Sequence, residues 1–163
     1  MAVQIPAQAI ADAKLGAGDQ WMVCLAIAGP ESGWTADAKG DYKTRLGGPI
    51  VPKTTPGAFP TSFGYLQYHI DGGLGQGHKT SDLLNGVYNM RQGGNYIRGR
   101  LASGASVYAA MQPWTTRPDA YRLYERIKAE GIEPVGTATF QADSLMGSGA
   151  LLLLAVAVLL IMD

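Results

Sequence analysis

Trp21-Met22-Val23-Cys24-Leu25-Ala26-Ile27-Ala28-Gly29-Pro30-Glu31-Ser32-Gly33-Trp34 is the stretch on which the reading of this chain turns. Its first eight residues are apolar, with no strand-like alternation. They predict a helix over residues 20–31, apolar nearly all round and therefore central in its domain. Asp19 is suited to cap its start. Pro30 removes a backbone donor and bends or ends the last turn. Gly33 permits a tight left-handed exit. Glu31 stands at that exit. It is the first of only four glutamates, and Glu125, Glu130 and Glu133 lie together far downstream. The negative end of a helix dipole disfavours its ionised form, Trp34 is placed to desolvate it, and no basic residue adjoins it. A carboxylic acid held protonated for catalysis fits this setting, and so does a solvated glutamate at a helix end. Ser32 can bond the turn or the carboxylate, and Trp34 can be a core plug or a sugar platform.

The chain has 163 residues, 13 basic and 13 acidic. That length suits one domain with a moderate core. The balanced charge offers no field for nucleic acid, so no nucleic-acid partner is expected. The apolar fraction of 47% excludes a wholly disordered chain, and 22 glycines without a three-residue period exclude collagen. The single cysteine, Cys24, sits inside the apolar run as a buried thiol. With only His69 and His78 elsewhere, neither a catalytic cysteine nor a zinc site is indicated, and no His-Glu-x-x-His pattern occurs. The N-terminus lacks the basic and apolar regions of a secretory signal.

Upstream of the apolar run, residues 6–15 predict a short alanine-rich helix that Gly16-Ala17-Gly18 breaks. Downstream, 36–60 is a proline- and glycine-rich surface loop with a small hairpin expected near Ile50-Val51. Residues 62–70 suit one strand or one helical turn. Thr80 or Ser81 caps a helix over 82–90, a further helix covers 95–101, either separate or continuous with the first through Gly93-Gly94, and a short one covers 106–111. Pro118 opens a last helix over 119–130, which Gly131 stops.

Residues 145–162 carry no charge. As a helix they would cover roughly 27 Å, near the thickness of a hydrocarbon core. A single C-terminal transmembrane anchor is therefore expected, with a lipid membrane as a partner and single-pass membrane localisation. The expected organisation is a globular domain over 1–134, a short linker over 135–144 and the anchor over 145–162.

Phe63-Gly64-Tyr65-Leu66-Gln67 is the second segment with chemical content. Gly64 lets the backbone approach a ligand, and the Gln67 amide suits an N-acetyl group or a water. Tyr65 and Tyr68 are candidates to line a groove, with Trp114 from another side. A core Phe/Leu pair with an exposed glutamine fits the same residues.

Glu31-Ser32-Gly33 followed by Phe63-Gly64-Tyr65-Leu66-Gln67 resembles the lysozyme-like superfamily, nearest the soluble lytic transglycosylases and the lysozyme-like domains of phage virion proteins. In those families a helix delivers the catalytic glutamate, and the Gly-aromatic/Leu-x-Gln segment builds the cleft floor. Asn89-Met90 and Pro113-Trp114-Thr115 resemble their later parts, so the resemblance spans about residues 10–124. It implies a mostly α, lysozyme-like (α+β with little sheet) domain that cleaves the β-1,4 bond between N-acetylmuramic acid and N-acetylglucosamine. Glu31 would be the acid, or acid and then base, with no metal or organic cofactor. The separation of Glu31 from Gly64 is longer than usual, which implies an insertion at 43–60. The Ala-Tyr-Asn motif of the transglycosylases is absent, and Tyr121 or Tyr108 would stand for its tyrosine.

Product type depends on a second carboxylate, for which Asp37, Asp41 and Asp71 are candidates. A water-activating base belongs about 6.5–9.5 Å from the acid and a nucleophile about 5–5.5 Å. With neither, the sugar assists and a 1,6-anhydro product follows. The function expected is thus a membrane-anchored peptidoglycan lytic enzyme acting in phage infection or local cell-wall opening, on glycan strands, with other virion or membrane proteins as further partners. The alternative is an inactive lysozyme-like structural or binding protein of a virion or membrane complex.

Overall fold

Strand β1 (Val3–Pro6) runs directly into helix α1 (Ala7–Ala17), because the fixed φ of Pro6 suits the residue just before a helix. A single 3-10 turn (Gly18–Gln20) joins α1 to helix α2 (Trp21–Ser32). These elements belong to a computed structural model in which residues 1–135 are described. Val23 to Ala28 of α2 are all buried, as an all-round apolar segment requires. Asp19 lies inside the 3-10 turn and makes no capping bond to α2. The break expected at 16–18 falls later, since α1 continues through Gly16. A Cβ there would stand 2.4 Å from the Val87 carbonyl oxygen, so Gly16 serves close packing against a neighbouring helix rather than helix termination.

That neighbour is helix α4 (Gly86–Ala102), which follows a single-turn helix α3 (Thr80–Leu83). The Asn85 side chain accepts from the Tyr88 N–H at 2.9 Å and caps α4. α4 runs unbroken through Gly93-Gly94, the continuous one of the two arrangements that the sequence left open. Gly94 lies against the Ala17 backbone, so the small residues bring α1 and α4 together. Helix α5 (Val107–Ala110) is capped by Ser106, and helix α6 (Arg117–Glu130), with Pro118 in its first turn, packs along α2. Strand β5 (Ile132–Val135) then returns to pair in parallel with β1, Val3 opposite Ile132.

A second sheet projects from the helices. Strands β2 (Lys39–Gly40), β3 (Ser62–Phe63) and β4 (Tyr68–His69) are antiparallel in the order β2-β3-β4. Residues 62–70, expected as one strand or one helical turn, are a tight hairpin turned by Gly64 at φ 76 and Gln67 at φ 47. The loop between β2 and β3 is held by the bridge Lys43↔Phe59. The hairpin expected at Ile50-Val51 is absent, and Ile50 is exposed.

The expected fold ended in a transmembrane helix, and this is corrected. Among the described residues no helix is long and apolar enough to cross a membrane. The longest, α4, carries Arg91, Arg98 and Arg100, and the apolar α2 has only 12 residues. The observed fold is α-rich with one two-stranded parallel and one three-stranded antiparallel sheet. Apolar length alone permits a span without establishing a helix. The expected linker falls at 135–144, of which only Val135 is described, and the expected anchor at 145–162, outside the described residues.

Candidate active site

Glu31 occupies the last turn of α2, one residue after Pro30. Gly33 ends the helix in the left-handed conformation (φ 60, ψ 33), its N–H donating to the Ala28 and Gly29 carbonyls. This exit leaves the Glu31 side chain half-buried at the rim of a cleft of about 510 Å³. The Thr116 hydroxyl, from the turn before α6, donates to Glu31 Oε1. Burial raises the Glu31 pKa above 4.5. The Thr116 hydrogen bonds oppose that rise, and the Asp41 carboxylate adds to it. The net direction is upward, towards a carboxyl that keeps its proton at higher pH than a free glutamate.

The cleft brings together five of the residues singled out from the sequence: Glu31, Asp41, Gln67, Tyr68 and Trp114. Asp41 follows β2 with its backbone at φ 48, a conformation that L side chains rarely adopt. Ser62 Oγ donates to its Oδ2, and Thr61 Oγ1 donates to its carbonyl oxygen. Gln67 is at φ 47, with its Nε2 donating to the Gly64 carbonyl at 2.9 Å. Among the described residues, two of the three non-glycine residues with positive φ therefore line this cleft, where stored backbone strain points to a functional constraint. Tyr68 and Trp114 meet at a ring separation of 6.4 Å, and Trp114 Nε1 donates to the Leu66 carbonyl at 2.9 Å. Both rings are largely buried, so they offer the cleft an edge of a packed aromatic wall rather than an open platform.

The remaining residues are placed elsewhere. Ser32 Oγ donates to the Ala28 carbonyl at 3.0 Å and accepts from the Thr35 N–H, which closes the helix end rather than touching Glu31. Trp34 folds back over Gly29, with Nε1 donating to the Leu25 carbonyl at 2.9 Å, and is a plug on α2. Phe63 is core. Tyr65 is buried, and its hydroxyl donates to Asp12 Oδ2 at 2.9 Å, away from the cleft. Gly64 faces Asn89 and Leu83 rather than a ligand: a Cβ there would lie 2.2 Å from Asn89 Nδ2. Tyr121 stacks edge-on against Tyr108 and does not line the cleft. Asp37 is exposed outside it. Asp71 is engaged by Lys43 Nζ and the Gly47 N–H, both at 2.7 Å, and the Lys43 bond holds its carboxyl below the usual range.

Sequence reasoning missed His69, Thr116 and the rim Gly72-Gly73-Leu74. His69 Nε2 lies 3.7 Å from Asp41 Oδ2. The pairing of β2 and β4 on either side of β3 brings these two residues together, and no spacing in the chain signals it. Thr116 follows Pro113-Trp114-Thr115 directly, and its position two residues before the helix-opening Pro118 was the available signal. Among the described residues no group of three or more metal-ligating side chains gathers. The cleft sets a polar rim against an aromatic wall, with the Glu31 carboxyl as a proton donor and a second carboxylate, Asp41, in the same lining. No protein-family model, curated protein or solved structure matches the chain.

Proposed function

We propose that this protein cleaves peptidoglycan glycan strands at the β-1,4 bond between N-acetylmuramic acid and N-acetylglucosamine, with Glu31 as general acid. The observation that carries this reading is the setting of Glu31: a half-buried carboxyl with a raised pKa, oriented by Thr116, in a cleft that also receives Asp41. An acid of this kind is what a glycosidic oxygen needs at near-neutral pH. The motif resemblance around Glu31 and the β3–β4 hairpin supports this choice of bond.

In this reading the Glu31 proton passes to the glycosidic oxygen as the C1–O bond breaks, and the leaving sugar departs as an alcohol. Positive charge develops at C1 and is stabilised by the Asp41 carboxylate. Attack on C1 by water returns a proton to Glu31 and gives the hydrolytic product. Attack by the sugar's own 6-hydroxyl also returns a proton and gives a 1,6-anhydro product, lighter by one water. Either route restores the starting acid.

Purified sacculi treated with the wild-type chain and with Glu31→Gln provide the test, with soluble products weighed by mass spectrometry. The variant is expected to lose about a hundredfold or more in rate. Equal lysis by both proteins, or none by the wild type on several peptidoglycan types, would overturn the reading in favour of a non-catalytic binding protein. The mass of the reducing-end product separates hydrolysis from anhydro formation.

A further inference from the structure

His69 is the group in the cleft to which nothing above assigns a task. It leaves β4 with both ring nitrogens engaged. Nδ1 accepts from the Asp71 backbone N–H at 3.3 Å, so in the neutral ring the proton resides on Nε2. Nε2 lies 3.5 Å from Thr61 Oγ1 and 3.7 Å from Asp41 Oδ2. Thr61 spends its own hydroxyl proton on the Asp41 carbonyl oxygen, which leaves its lone pairs free to receive the Nε2 proton. Two hydroxyls therefore donate to Asp41, Ser62 Oγ to the carboxylate and Thr61 Oγ1 to the backbone carbonyl, and the imidazole N–H stands behind Thr61. The Asp71 backbone that fixes the ring is itself anchored, because Lys43 and the Gly47 N–H hold the Asp71 side chain.

We propose that His69 is a positioning residue for Asp41: its Nε2–H, oriented through Nδ1 by the Asp71 backbone, donates to Thr61 Oγ1, whose own proton holds the Asp41 backbone carbonyl, and this relay keeps the Asp41 carboxylate facing the charge that develops in the cleft. This inference rests on the proposed function, since it gives Asp41 its orientation for that chemistry. Asp41 needs such support because its backbone occupies a disfavoured conformation and its side chain is 42% exposed, so local packing alone does not fix it. The charged groups facing the imidazole are Asp41 and Asp71, with Lys43 neutralising the latter and Glu31 sharing the cleft.

The test is a double-mutant cycle on the full chain, with cleavage kinetics on soluble glycan strands and an unfolding midpoint for each variant. His69→Leu is expected to lower kcat by about tenfold to a hundredfold with little change in KM. His69→Gln, whose amide N–H reaches the place of Nε2–H, is expected to recover most of that loss. In an Asp41→Asn background, His69→Leu is expected to cost less than about twofold, because the residue acts through Asp41. The same fold-loss in both backgrounds, or no loss in the wild type, overturns the role. Imidazole 15N shifts give a readout independent of cleavage: they are expected to report the Nε2–H tautomer, and an Nδ1–H tautomer overturns the geometry. Absence of wild-type cleavage would remove the proposed function and this role with it, whereas an Asp41-independent loss removes this role alone.

Discussion

Replacing Asn89 by alanine is expected to cost about 3–5 kcal/mol of folding stability. Asn89 is fully buried on α4 and makes three hydrogen bonds with its side chain. Its Oδ1 accepts from the Leu66 N–H at 3.0 Å, and its Nδ2 donates to the Phe63 carbonyl at 3.2 Å and the Leu83 carbonyl at 2.8 Å. These bonds fasten the β3–β4 hairpin, and with it the cleft floor, to α4 and the end of α3. Alanine removes a partner from one donor and two acceptors in the interior, at about 1–3 kcal/mol for each group left unsatisfied, and a water entering the vacated space recovers part of that. Urea unfolding followed by far-UV circular dichroism measures the loss, with the m-value expected to stay constant. A loss below about 1 kcal/mol would refute the claim that this amide holds the hairpin. Asn89→Asp adds a signed version of the same test. Its carboxylate still accepts from Leu66 but faces the carbonyls of Phe63 and Leu83, so the folded state favours the protonated form. The folded pKa then lies above the unfolded value, and stability is expected to fall as pH rises above about 4.

Gly64→Ala drives a Cβ to 2.2 Å from Asn89 Nδ2 and 2.3 Å from the Leu83 carbonyl oxygen at φ 76. A loss of about 3 kcal/mol is expected by denaturant unfolding, non-additive with Asn89→Ala because the two share one contact. For Glu31, the raised folded pKa means that its contribution to stability is complete below 4.5 and declines as pH rises through the folded value. Glu31→Gln is therefore expected to gain stability relative to the wild type across that window, and parallel pH profiles of the unfolding free energy would contradict this. Asp71 has the opposite sign: its lowered pKa contributes stability above 3.8 that is lost as pH falls through the folded value. Lys43→Met is expected to make the acid limb of the stability profile shallower, and an unchanged limb would show that the Lys43–Asp71 pair does not shape it.

How far the chain could be read in advance follows from where each signal resides. α2 was legible because an unbroken apolar run has one solution, burial on every side, and Glu31 was legible because helix-end chemistry is local. Gly16 misled because a glycine required by a neighbouring backbone looks, in sequence, like one required by a turn. The β3–β4 hairpin was hidden because one of its two left-handed residues is Gln67, a residue type that does not advertise that conformation. Trp34 and Tyr65 were ambiguous for a further reason. An aromatic ring with a polar tip suits a groove or a core, and only the partner decides: the Leu25 carbonyl for one and Asp12 for the other. His69 was beyond reach, since its meaning lies in Asp41, which only sheet pairing brings near.

The pairing of β1 with β5 has a consequence for how the chain is made. Val3 and Ile5 are buried core residues, yet the strand that completes their sheet is 129 positions further along. A ribosome delivers the first strand long before the last one leaves the exit tunnel. Until residue 135 emerges, the nascent domain exposes an open strand edge beside an unfinished core. The helices can gather as they appear, but closure waits for the end of the domain. The interval between those two events is when this chain is most open to chaperone capture and to pairing with a neighbouring nascent copy.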